Sequence, residues 1–547
     1  MKKILHLPYL LLAVALFASG CSINRTPETD FSDVNFWNTE SDLKQACNAL
    51  YQQLAGYGTD NRADDSYGHS ADATSEGSWQ IPNTNDAWSK PYDMVYTAND
   101  ILEKGTKAVV ADDVRARYFA EARFFRAYAF FNLLKAYGDI PLIMHTIDPT
   151  VNPDDLNTPR SPRATVIDTI YADLDYAAQW LPLASAIAAA DYGRVSKGAA
   201  LAMKARVGLY EGTYAKFHKT GEDANTNLQV AVTAATAVME QKYYALNTSY
   251  SNLFLHAGDG AANKENVFVK VYGSDAVANG AYTSPIVTHN NPRSMANGDF
   301  APTRNLLSQY LCTDGLPWGQ SPLTVPETSY NAFFENRDPR LGMTAYQKGE
   351  QAYKGPWDPS QTTQNLTLTS YALKKGFDLQ DWTNSKSTID KDLIRYAEVL
   401  LTYAEAKFEL GENISDDDLN LSINKLRDRV GMPHLTNAFV ATNNLDMRTE
   451  IRRERTIELA MEGFRYDDII RWKIAEKVLP VDILGAKFIA SEWGSNGSLN
   501  LSPDNIIIVE PASKRVFNVQ KDYLYPVPLH EITFSNNNVT QNPGWVN

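Results

Sequence analysis

The chain has 547 residues, 44% of them hydrophobic and 21% charged, with a formal net charge of −14. That balance excludes a disordered chain, and the acidic excess excludes nucleic-acid binding, because nothing supplies a basic footprint for phosphates. Aromatic residues reach 11%, a supply that serves packed helix pairs and stacking on sugar rings alike.

Residues 1–20 read as a processing segment and not as part of the fold. Lys2 and Lys3 open it. The apolar run 7–17 is shorter than the roughly 20 residues a bilayer span needs. Ala18-Ser19-Gly20-Cys21 resembles the lipobox of bacterial lipoproteins, with Ala18 where leucine is more usual. That resemblance implies an acylated Cys21 and a mature chain tethered to a membrane rather than embedded in it. No other stretch reaches spanning length. Cys47 and Cys312 lie far apart in apolar settings and read as free buried thiols.

Residues 22–39 are polar and read as a tether. Ser41-Asp42 then caps a helix through Leu43, Cys47, Leu50 and Leu54, which Gly56-Tyr57-Gly58 ends. Residues 61–86 form a polar loop carrying Asp64, Asp65 and Trp79; loops of that length are uncommon inside compact domains and often functional. The clearest helix covers 112–137. Ala122, Phe125 and Ala129 line one face, and Phe124, Tyr128 and Phe131 another, so neighbours cover both sides. Gly138 and Pro141 end it.

Further helices are predicted over 165–180, 196–214, 228–241, 392–410 and 419–430. Several alternate small and bulky side chains as tetratricopeptide-like helix pairs do, without a regular period. Over 243–391 the helical spacing fades, Gly, Pro, Asn and Ser rise, and 267–272 and 370–373 read as short strands.

In the stretch 447–473, Ile457, Ala460, Met461 and Phe464 form one apolar helix face, while Glu454, Glu458 and Glu462 stack at i+4 spacing on another. Like charges at that spacing repel, so the stripe needs cations. Arg455 and Arg465, three residues from Glu458 and Glu462, are the nearest in sequence. Gly463 permits a sharp bend before a second amphipathic run at Ile469, Ile470 and Trp472. The expectation is two helices clamped at a corner by a charge network.

This run, RRERTIELAMEGFRYDDIIRW, resembles a signature of the SusD/RagB family of outer-membrane nutrient-binding lipoproteins. Its pattern falls on Glu454, Arg455, Glu458, Leu459, Glu462, Gly463, Arg465, Asp468, Arg471 and Trp472; Thr456 and Ile469 depart from it. Phe36-Trp37 with Asp42, Ala46 and Asn48, the RDPRL run at 337–341, and Gln541-Asn542-Pro543-Gly544-Trp545 are further landmarks in the family's order. The resemblance implies a mainly α fold, a tetratricopeptide-like helix-pair bundle with a loop-rich, irregular insertion carrying short strands. It also implies a signal peptide at 1–20, an N-terminal helical region at 21–240 and a C-terminal region at 241–547 that includes the loop-rich 243–391. In the family the signature is architecture. The implied function is non-catalytic capture of a nutrient, an oligosaccharide, by a surface-exposed lipoprotein of the outer membrane working with a SusC-like TonB-dependent receptor. A peptide ligand of the RagB type, or a lipid-anchored scaffold for protein partners, are the alternatives.

No nucleophile elbow, phosphate-cradling loop or His-Glu-x-x-His run is present in the sequence, and the eight histidines lack ligand spacing. No metal or cofactor is expected. Glu458 and Glu462 have the residue types of a glycosidase pair, but nearby arginines would keep both ionised, and a general acid needs a raised pKa. Sugar sites combine flat aromatic faces with planar polar side chains on loops. Trp79, Tyr282 and Trp318 supply the rings, with Trp357 a weaker candidate, and Asp64, Asp65 and Arg293 the polar groups. The alternative for each ring is that it plugs its own loop onto the core.

Overall fold

The computed structural model describes residues 36–546 apart from 59, 149, 274–296, 361–366 and 496. Cys21, Tyr282 and Arg293 lie outside the described residues. Thr39, not Ser41, caps the first helix, α1 (Glu40–Gln52). Its hydroxyl accepts from the Asp42 N–H, and the Asp42 carboxylate accepts from the Thr39 N–H at 2.8 Å, so two orphan donors are satisfied reciprocally.

The helices α2 (Asp86–Lys104), α3 (Asp112–Tyr137), α4 (Arg163–Trp180), α5 (Lys197–His218) and α6 (Ala224–Glu240) follow. The first, second and fourth helices pack around α3, which buries Phe124, Phe125, Phe130 and Phe131. Its two-sided apolar pattern has that consequence. Buried guanidinium–carboxylate forks fix which faces meet: Arg126 of α3 donates to Asp173 of α4 through two bonds of 2.8 Å. Arg163 of α4 does the same to Glu211 of α5 at 2.8 Å. Where α5 crosses α6, a Cβ on Gly208 would lie 2.7 Å from the Asn227 carbonyl and the Ala231 nitrogen. Only glycine lets the two backbones approach so closely.

Eight short strands are described: β1 (Ser66–Tyr67), β2 (Asn266–Lys270), β3 (Ala301–Pro302), β4 (Gln351–Ala352), β5 (Gly355–Pro356), β6 (Lys391–Arg395), β7 (Ile483–Lys487) and β8 (Ile506–Glu510). They pair as antiparallel two-stranded ribbons, β1 with β3, β2 with β6, β4 with β5 and β7 with β8. The β6 strand corrects the helix expected from 392. Residues Lys391–Arg395 are extended and paired with β2, Phe268 opposite Ile394, and the helix α7 (Tyr396–Gly411) starts only afterwards. The apolar spacing over those residues suits either conformation, and the distant partner strand decides. At 370–373 no strand forms; Ser370 is left-handed, with φ 56°, and Leu373 makes an isolated bridge to Ala345. The helix expected over 419–430 is split at Ser422 into Asp416–Leu421 and α8 (Ile423–Val430).

The charged stripe lies on α9 (Met447–Glu458) and its continuation, and α10 (Arg465–Arg471) follows the corner, where Met461 and Gly463 have φ of 63° and 83°. The cations on the stripe come from elsewhere in the chain. Arg427 and Arg340 hold Glu454 at 2.8 Å. Arg395 and Arg429 hold Glu458 at 2.6 Å, with Arg340 at 2.9 Å. Arg395 and Lys375 hold Glu462 at 2.8 and 2.6 Å. Arg455 and Arg465, the expected neighbours, serve other acids, Asp468 at 2.9 Å and Asp64 at 2.8 Å. Arg471 forks onto Glu405 at 2.6 and 2.7 Å, and the Trp472 indole N–H donates to the same carboxylate at 2.6 Å. The clamp therefore joins α9 to β6, α8 and the Asp338–Arg340 turn, and also ties the two apolar cores. Ile451 belongs to the helical core, Ile457 and Ala460 to a second one built on Tyr310, Tyr330, Trp357 and Tyr371. Cys47 and Cys312 are free and buried.

Candidate functional site

A cleft of about 1040 Å³ opens beside the corner at 461–463. Its walls come from the loop after α1, the first half of α2, the last turns of α3, the β6 strand, the corner with α10, and the C-terminal Tyr523 and Tyr525. No two adjacent walls are close in sequence; the clamp on α9 is what brings β6 and α10 to the same place.

One wall is a stack of aromatic rings on a charged fork. Arg62 donates to Asp60 through two bonds of 2.8 Å and to the Tyr525 hydroxyl at 2.9 Å, with its guanidinium 4.6 Å over the Tyr466 ring. At the mouth, Tyr57 is 44% exposed, and its ring lies 5.7 Å from that of Tyr272. Its hydroxyl donates to the Asp390 carbonyl at 2.8 Å, which fixes the ring's angle. Gly58, the next residue, has nothing within 4 Å of where a Cβ would stand. The cleft also carries Lys391, whose ammonium donates to the Gly56 carbonyl at 2.6 Å, and Lys375, which donates to Glu462 at 2.6 Å and to the Tyr250 hydroxyl at 2.9 Å. Lys135 pairs with Asp467.

The electrostatics of the cleft are set by burial. Burial pushes the Asp65 carboxyl up to about 8, with Asp64 and Asp60 adding to it. Burial and the neighbouring Asp259 take Asp390 to about 7. Burial, then Glu462, raises Asp392 well above the ordinary carboxylate range. The same burial lowers Lys375 and Lys391 to about 8. At Glu458, by contrast, Arg429, Arg395 and Arg340 overrule burial and hold the carboxylate far below its usual range; Arg395 and Lys375 lower Glu462 against burial as well. Neither of these two can act as a general acid.

Of the polar groups singled out in the sequence, Asp65 lies on the cleft wall. Asp64 stands behind it and accepts from Arg465 at 2.8 and 3.1 Å. Both tryptophans pack against other rings, the alternative that the sequence leaves open for each ring. Trp79 is half-buried and meets Tyr525 edge-on, ring centres 4.2 Å apart, so it supports a cleft tyrosine from behind. Trp318 meets Phe333 edge-on at 5.3 Å, with the Arg304 and Arg337 guanidiniums 5.1 and 5.0 Å from its ring. Trp357, 1% exposed, is core. A polar loop hides such packing, because the partner ring comes from a remote part of the chain. Trp318→Ala is accordingly expected to lower stability by roughly 2–3 kcal/mol in urea unfolding and to leave ligand retention unchanged. Sequence reading missed Tyr57, taken only as part of a helix stop; an aromatic between two glycines is the signal that marks it.

Among the described residues, His256, Asp378 and Asp381 each place one donor atom within 4.8 Å of the others. Existing bonds account for this group. His256 meets Asp381 at 2.8 Å, the Ser387 hydroxyl donates to Asp381 at 2.7 Å, and Asp378 caps a helix turn by accepting from the Asp381 N–H at 2.9 Å.

Comparison with known proteins places these features in a wider group. A family model described as the SusD family matches residues 222–545, and one described as starch-binding associating with outer membrane matches 28–209. A SusD-like protein of Formosa agariphila, P2, is 26% identical over 474 residues, covering 84% of this chain and 80% of its own length. A SusD-like protein of Bacteroides ovatus is 25% identical, over 84% of this chain and 81% of its own. The crystal structure of a SusD-like carbohydrate binding protein from Bacteroides fragilis superposes with a TM-score of 0.75 at 25% identity, covering 91% of this chain and 99% of that one.

Proposed function

Since the chain belongs to the SusD family, we propose that it is a non-catalytic carbohydrate-binding protein of the outer membrane that holds its glycan in the cleft beside the 461–463 corner. The observation that carries the reading is the cleft itself. Pockets for small ligands commonly span 300–1,000 Å³, and this one, at about 1040 Å³, has room for several sugar units. The half-exposed Tyr57 ring at its mouth is a flat face on which a sugar can stack. The B. fragilis neighbour is described as a carbohydrate binding protein, which supports the same ligand class.

The chain is held at the membrane by an acyl chain on Cys21 and passes its glycan to a SusC-like TonB-dependent receptor. No helix among the described residues is long and apolar enough to cross a membrane, which fits a lipid tether. The clamp carboxylates support capture over hydrolysis, because Glu458 and Glu462 stay ionised.

Affinity electrophoresis of the mature chain through gels containing neutral, amino and acidic polysaccharides tests the ligand class. Retardation by at least one of them is expected. Free migration through every gel, with a peptide library bound instead, would defeat the glycan reading.

A further inference from the structure

The charged groups of the cleft do not balance. Its cations are engaged: Arg62 with Asp60 at 2.8 Å, Lys375 with Glu462 at 2.6 Å, Lys135 with Asp467, Lys90 with Asp86 at 2.6 Å, and Lys391 with a backbone carbonyl. Acids remain over. Asp65 is 7% exposed and lines the cleft; its carboxyl accepts from its own backbone N–H and from no side chain of the described residues. Asp392, half-buried on β6, lines the same cleft and has no ion pair or side-chain hydrogen bond among the described residues. Asp390 accepts a backbone N–H from Tyr272 at 3.1 Å and hydrogen bonds from the Tyr192 hydroxyl and the Gly260 N–H. A carboxyl that no side chain donates to gains from a bound donor, and most from a charged one.

We propose that the ligand of this cleft carries ammonium groups, an oligosaccharide with unacetylated amino sugars, with Asp65 and Asp392 receiving them. The inference rests on the glycan-capture reading and adds the charge of the glycan. A uronate or sulfate would find every cation of the cleft already engaged. The groups that face Asp65 are Asp60, Asp64 and Arg465; those that face Asp392 are Glu265, Asp390, Glu462 and Arg395. The two guanidiniums among them are already bound to Asp64 and to the clamp glutamates. Burial and like-charge neighbours keep Asp65 protonated near neutrality; an ammonium group beside it favours the ionised form.

The test is calorimetric titration of the full mature chain at neutral pH with a glucosamine hexamer, its N-acetylated counterpart, an oligogalacturonate and a lysine tripeptide. The glucosamine hexamer is expected to bind at least ~10-fold more tightly than the N-acetylated one, with an affinity that falls as salt is raised, and the oligogalacturonate not at all. Asp65→Asn and Asp392→Asn, which keep the shape of the side chain, are each expected to lower that affinity by ~10-fold or more. Equal or tighter binding of the N-acetylated hexamer, or both variants binding as the parent does, would overturn the inference and leave glycan capture standing. Binding of the lysine tripeptide alone would overturn both. So would a chain that takes none of the four and is retarded by no polysaccharide.

Discussion

Glu458→Ala is expected to lower the free energy of unfolding by about 3–5 kcal/mol, the usual cost of removing one partner from a buried ion pair. The Glu458 carboxylate accepts from Arg395 and Arg429 at 2.6 Å and from Arg340 at 2.9 Å. All three guanidiniums are nearly without solvent contact. Alanine would remove the one carboxylate all three share, leaving Arg395 with Glu462 and Glu265, Arg340 with Glu454 and Asp338, and Arg429 with Glu265 alone. Urea unfolding reads the effect directly; a change below about 1 kcal/mol would place the network among surface pairs of little worth. The pH dependence follows from the same carboxylate. Burial alone would raise Glu458, but Arg429, Arg395 and Arg340 depress it, and Arg471 with Arg455 and Arg452 takes Glu405 down to about 2. A depressed carboxylate adds stability that is fully present above its unfolded value of about 4.3 and is lost as pH falls through the folded value. Acid unfolding of the parent chain therefore centres well below the ordinary carboxylate range, and an acid midpoint near that range would contradict the clamp.

Gly58→Trp is expected to abolish glycan binding, by ~100-fold or more, while leaving the unfolding midpoint within a degree or so of the parent. The position lines the cleft, a Cβ there meets nothing within 4 Å, and its backbone is not left-handed. An indole can therefore grow into the open volume without strain, next to Tyr57. Surface substitutions that disturb no packing change stability by about 0.5 kcal/mol or less, so lost binding at constant stability isolates occupancy of the cleft. Unchanged binding would move the ligand to another surface of the protein.

How far the sequence reaches depends on how local the physics is. The helix expected over 112–137 is α3 with the same bounds, because its apolar spacing, acidic first turn and terminal glycine are all written within its own residues. The family resemblance from Phe36 to Trp545 is matched by family models over 28–209 and 222–545. The acidic stripe was legible as a thing needing cations. The cations themselves were not, since Arg340, Lys375, Arg395, Arg427 and Arg429 come from other elements, whereas the nearby Arg455 and Arg465 point to Asp468 and Asp64. The same limit applies to the site. Asp65, singled out on its loop, lines the cleft, but a cleft walled by residues from Gln52 to Tyr525 has no spacing to read. Trp79 looked like a free ring because Tyr525, the ring it supports, lies near the far end of the chain.

The claim that the protein captures and does not cut is tested most directly by the mass of its ligand. A glycan that binds the mature chain would be incubated with it for hours at neutral pH, then released and weighed by mass spectrometry. Every molecule recovered at its starting mass is the predicted result. Fragments that accumulate with the parent chain and vanish with Asp65→Asn would contradict it.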